Sequence, residues 1–61
     1  MRNDKVAKER KKCLRENIGY DYILEVREEE DFTEYITSTG GDVCRYRVYG
    51  DKSDKMMVVA K

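Results

Sequence analysis

The chain has no histidine and no proline among its 61 residues. Without histidine it lacks the commonest general acid or base near neutral pH, and also the commonest metal ligand. Without proline it has no proline-rich linker, and nothing suggests more than a single small domain over 1–61. The two cysteines, Cys13 and Cys44, lack the paired spacing of a zinc site, and two ligands alone would not hold zinc. They read as small buried apolar residues; a bond tying helix to sheet, or a metal shared across a dimer, is the sharper alternative. Serine occurs only at Ser38 and Ser53, neither beside a candidate base. Nothing resembles a nucleophile elbow, a phosphate loop or a dinucleotide fingerprint. No apolar run approaches the roughly 18 residues of a membrane span, and the charged N-terminus has no apolar signal core. These absences point away from an enzyme, from any cofactor or metal, and from a membrane. The expected compartment is cytoplasmic, where thiols stay reduced.

What the chain does have is charge, sorted by position. The formal net charge is +0, yet residues 1–19 set seven cations against Asp4, Glu9 and Glu16, for +4. Residues 20–42 set Arg27 against eight acids, for −7, and residues 43–61 return +3. Such segregation predicts a surface with acidic and basic poles for partners to read. At 39% hydrophobic and 43% charged the composition lies near the edge of what folds. The apolar positions after residue 19 nevertheless fall in regular patterns, which argues for a fold.

Residues 3–18 read as a helix, capped by Asn3 or Asp4 and ended by Gly19 in a left-handed cap. Val6, Ala7, Cys13, Leu14 and Ile18 share one broad stripe, which Arg10 and Asn17 interrupt. Residues 20–27 alternate as a strand, with Tyr20, Tyr22, Leu24 and Val26 on one side and Ile23 on the wet side. Residues 32–39 have some helical spacing, but their β-branched and aromatic content favours a strand. Gly40-Gly41 then makes a hairpin turn. Residues 43–49 form the next strand, with Cys44, Tyr46 and Val48 on one face. Met56 to Ala60 reads as a last strand covered on both faces. The expected class is α+β: an N-terminal helix followed by a four-stranded antiparallel meander, with α-β-α-β-β as the alternative. The expected core is Leu14, Ile18, Tyr20, Tyr22, Leu24, Val26, Ile36, Tyr46, Val48, Met56 and Val58.

Three groups of residues are candidates for function. Glu28, Glu29, Glu30 and Asp31, extended by Glu34 and Tyr35, form an acidic patch for a protein partner. As a plain structural feature, the same run is a charged turn that keeps strand edges from pairing with other chains. Lys8, Lys11, Lys12 and Arg15 form a basic ridge. Its like-charge pairs four apart each cost the helix roughly 0.2–0.5 kcal/mol, which hints at an anionic partner such as nucleic acid. Arg45 and Arg47, near Tyr35 and Tyr49, either support that ridge or pair across strands with Glu34 or Glu25.

Five tyrosines in so short a chain exceed what a core needs and suit an interface. In composition and format, though in no motif, the chain is similar to small regulatory proteins of phages and mobile elements. The expected function is a non-enzymatic protein-binding module, a regulator, inhibitor or adaptor that forms a homo-oligomer. The alternative is a nucleic-acid-binding regulator that uses the basic face of the helix.

Overall fold

A computed structural model describes residues 4–61, with the side chains of all but Asp4 and Ser53. Helix α1 spans Asp4–Asn17. Strands β1 (Tyr22–Glu28), β2 (Phe32–Thr39), β3 (Asp42–Tyr49) and β4 (Met57–Ala60) follow, with a 3-10 turn at Ser53–Lys55 before β4. The strands form one antiparallel sheet in the order β1-β2-β3-β4. This is the α+β helix-plus-meander arrangement, and the strand at Phe32–Thr39 removes the α-β-α-β-β alternative.

The hairpin turn forms where two glycines supply positive φ, at 56° for Gly40 and 89° for Gly41. Both central residues of a two-residue turn need that region if the turn is to follow the twist of its strands. The Asp21 carboxylate accepts a 2.9 Å bond from the Gly40 amide, so part of the acidic block is spent on locking the turn. Gly19 has no positive φ, which corrects the expectation of a left-handed cap there. The helix ends instead with the Ile18 amide donating to the Leu14 carbonyl (2.7 Å) and the Asn17 side-chain amide donating to the Cys13 carbonyl (2.8 Å). Capping by Asn3 or by the Asp4 side chain lies outside the described part of the chain.

The helix lies on one face of the sheet, over β3, β4 and the 3-10 turn. Leu14, Tyr35 and Val48 are fully buried between the layers, with Cys13, Ile18, Tyr20, Ile23, Tyr46, Met56 and Val58 packed around them. The core differs from the expected one in β1 and β2. Register slips between Ile23 and Glu25 at a bulge, and a bulge turns a strand's alternation over by one residue. Ile23, expected on the wet side, therefore joins the core. Tyr22, Leu24 and Val26 are 70%, 57% and 47% exposed; Val26 shares the helix side but lies at the edge that the helix does not reach. In β2 the inward residues are Thr33, Tyr35 and Thr37, all buried, so Ile36 faces the opposite side. Strand β4 is covered on one face only, since Met57 is exposed.

The residue that interrupts the helix's apolar stripe is its anchor. Arg10 is 3% exposed. Its guanidinium donates to the carbonyls of Gly50 (2.7 Å), Glu29 (3.0 Å) and Glu30 (3.0 Å) and to the Thr33 hydroxyl (3.3 Å). A buried cation is tolerated where its donors are met. Here they tie the helix to the β1–β2 turn and to the end of β3 at once. Gly50 meets this clamp with φ of 109°, in a space where a Cβ would stand 3.0 Å from the Lys55 carbonyl oxygen.

Candidate interaction surfaces

Three surfaces follow from this frame. The most developed is the sheet face opposite the helix. Residues directly opposed in an antiparallel ladder share a face, so the register places Glu25, Ile36 and Arg45 in one row across the strands. Arg27, Glu34, Arg47 and Val59 make the next row, and Phe32, Tyr49 and Met57 a third. No element of the described chain covers these rows.

At their centre Arg47 Nε donates to Glu34 Oε1 at 2.8 Å, and Arg45 Nε lies 3.5 Å from Glu34 Oε2. The Glu34 side chain is only 12% exposed. The hydrogen bond from Arg47 holds its carboxyl below the ordinary value of 4.5. The Arg47 guanidinium also stacks 4.4 Å from the centre of the Phe32 ring and donates to the Tyr49 hydroxyl at 3.2 Å. Phe32 and Tyr49 themselves stand 5.2 Å apart. The guanidinium is therefore held over the Phe32 ring and against the Tyr49 hydroxyl, with its charge answered by Glu34. Cross-strand pairing with Glu34, the plainer of the two expectations for Arg45 and Arg47, is what the ladder contains.

The acidic residues do not form one patch. Glu28, Glu29, Glu30 and Asp31 are exposed at the β1–β2 turn, and Arg27 pairs with Glu29 at 3.3 Å. Glu34 lies on the open sheet face beyond the turn. Tyr35 points the other way and is buried in the core, where burial pushes its phenol from 10.0 up to about 12. The turn's backbone is held by Arg10 through the Glu29 and Glu30 carbonyls, so the carboxylates project from a fixed loop.

The basic ridge lies on the outer side of α1. Lys8, Lys11, Lys12 and Arg15 are all exposed. Arg15 stands 6.0 Å over the Tyr20 ring. Among the described residues, the three lysines make no ion pair. Arg45 and Arg47 are on the far side of the sheet from α1, so structure separates the two halves of the expected anion site.

Family models, curated proteins and solved structures were each searched, and none matches this chain.

Among the described residues no group of three or more ligating side chains is placed to hold a metal. No described helix is long and apolar enough to cross a membrane. Sequence reasoning missed the open face as a unit, with Phe32, Ile36 and Val59 on it. The available signal was the parity of residues 32–39: threonines at 33, 37 and 39 on one side, and Phe32, Glu34 and Ile36 on the other.

Proposed function

We propose that this chain is a small non-enzymatic protein-binding module, a regulator, inhibitor or adaptor, whose main interface is the open sheet face. The observation that carries the reading is the arrangement around Arg47: a guanidinium held between Phe32, Tyr49 and Glu34 on a sheet surface that no described element of its own chain covers. Arginine and aromatic side chains are the groups that most often dominate binding energy at protein interfaces. Fixing them beforehand lowers the ordering cost of association. The exposed acids of the β1–β2 turn flank this face at its Phe32 end and supply a charged rim, which favours a partner with basic residues at its margin.

Affinity capture with the wild-type chain and with Ile36→Glu tests this. A heterologous protein retained by the first and lost by the second is the expected result. Retention by both would move the interface elsewhere.

A second reading has its own support in the ridge lysines, which make no ion pair among the described residues. There the chain binds nucleic acid through Lys8, Lys11, Lys12 and Arg15. Fluorescence anisotropy with single- and double-stranded DNA and RNA checks it. Binding should weaken steeply with salt and vanish when the four residues become glutamine; no binding at low salt removes this reading.

A further inference from the structure

The open sheet face sets Phe32, Ile36, Tyr49, Met57 and Val59 around a central Glu34–Arg47 pair, with acids toward β1–β2 and arginines on β3. We infer that a second copy of this chain covers it. The two sheets stack face to face about a two-fold axis that runs along the strands between β2 and β3. The inference rests on reading that face as an interface, with a second copy as its occupant when no other protein is bound.

A two-fold contact joins the same patch on both partners, so the patch must complement itself. This one does so at Glu34 with Arg47 and at Phe32 with Tyr49, while the remaining row sets Ile36 against the stem of Arg45. A rotation about the stated axis keeps each cross-strand row level and exchanges its halves, bringing β2 of one copy over β3 of the other. Acids lie on the β1–β2 half of the rows, at Glu25 and Glu34, and arginines on the β3 half, at Arg45 and Arg47. Glu34 of one copy then meets Arg47 of the second, and Phe32 meets Tyr49. The one cation on the acidic half, Arg27, is already paired with Glu29 at 3.3 Å. Aligned stacking of two twisted sheets is the ordinary geometry of a sandwich.

The single chain also has reason to use such a contact. Among the described residues only Leu14, Tyr35 and Val48 form the fully buried apolar core, and a domain of about 60 residues is marginal alone. Strands of seven or eight residues at the usual rise and spacing give the face a footprint of roughly 450 Å². That is little over half of the roughly 800 Å² per partner of a standard interface. An interface of this size is a weak, reversible one.

Sedimentation velocity on the purified full chain, from about 1 to about 500 μM, reads the result directly. The apparent mass should rise from monomer toward twice that value. Ile36→Lys, which sets an ammonium against Arg45 of the second copy, should stay monomeric throughout while keeping the wild-type far-ultraviolet circular dichroism. A wild type that is monomeric at every concentration overturns the inference, as does an Ile36→Lys chain that dimerises equally.

Should that variant fail to fold, a dilution series of the wild type followed by amide chemical shifts decides. Shifts confined to Phe32, Ile36, Arg47 and Tyr49 support the stacked dimer, and shifts confined to α1 or to the β1 edge overturn it. A monomer that still captures another protein through Ile36 ends self-association but leaves the interface reading intact. A stacked dimer that captures nothing does the reverse.

Discussion

The two faces of the sheet are made from the same eight residues of β2, read at alternate positions, and they come to opposite ends. On one side Thr33, Tyr35 and Thr37 are buried beneath the helix. On the other Phe32, Glu34, Ile36 and Ser38 are half-buried with no described element of their own chain above them. The covered face buries polar atoms and satisfies them one by one: Thr33 accepts from Arg10, and Thr37 donates to the Cys44 carbonyl. The open face holds its polar atoms in a single network around Glu34 and Arg47. A buried layer serves stability, where each lost partner is costly. An exposed layer with fixed aromatic and charged groups adds little to a monomer's stability and is suited to contact.

That contrast can be broken most sharply at Arg10. Arg10→Met keeps the apolar stem but leaves three carbonyls without their charged donor. The expected loss is about 3 kcal/mol or more, a large share of the roughly 3–5 kcal/mol that a core of this size supplies. Thermal unfolding should show a chain largely unfolded at 25 °C; a variant that melts within a few degrees of the wild type would remove Arg10 as the anchor.

The next effect compares the layers directly. Val48→Ala on the covered face should cost about 2 kcal/mol by urea unfolding at low protein concentration. Ile36→Ala on the open face should cost less than about 1 kcal/mol under the same conditions. Equal losses would mean that the open face is packed in the monomer.

Gly50→Ala should cost about 1–3 kcal/mol, because φ of 109° and a backbone oxygen 3.0 Å from the new Cβ act together. A neutral result would mean that the segment carrying the Arg10 contact shifts freely.

Titration sharpens the comparison, since each face has its own weak side. Burial raises Tyr35 from 10.0 to about 12. Its contribution is complete below pH 10 and is lost as pH rises toward 12, because the unfolded chain releases that proton first. Glu34 is shifted the other way, chiefly by its bond from Arg47. Its contribution is complete above its ordinary value and is lost as pH falls through the lowered one. Melting temperature against pH should thus decline at both ends. Tyr35→Phe should flatten the alkaline limb and Glu34→Gln the acid one.

The smallest effect is expected at Tyr20, whose buried hydroxyl has no hydrogen-bond partner among the described residues. Tyr20→Phe removes an unsatisfied polar atom and should leave stability within about 1 kcal/mol of the wild type or slightly above it. A clear loss would reveal a bound water serving that oxygen.

Much of the fold was legible because local signals agreed with one another. The Gly40-Gly41 pair, the alternation at Cys44, Tyr46 and Val48, and the β-branched run at 32–39 each named their element. Two features resisted. The bulge in β1 leaves no mark in a period-two pattern, so Leu24 looked like core while Ile23 did not, and Val26, inward as expected, lies at an edge that the helix leaves open. Arg10 looked like a flaw in an apolar stripe, because what makes it fit is a set of carbonyls 19, 20 and 40 residues further along. The ridge lysines and the acidic turn were legible as exposed charge. The open face was not, since it exists only once four strands lie side by side with the helix on one side of them.

The reach of the Arg10 clamp also bears on the order of events when the chain is made. Synthesis runs from the N-terminus, so the helix emerges first, while the carbonyl that takes its shortest guanidinium bond belongs to Gly50. Until that residue leaves the ribosome the helix has only part of its anchor and a thin apolar stripe, and short helices with so little to pack on are marginal in water. The β1–β2 hairpin can form early, but its turn lacks its bracing until the helix is seated. Folding of this chain is therefore a late, all-at-once event in its biogenesis, and a nascent chain stopped before residue 50 should remain a target for proteases and chaperones.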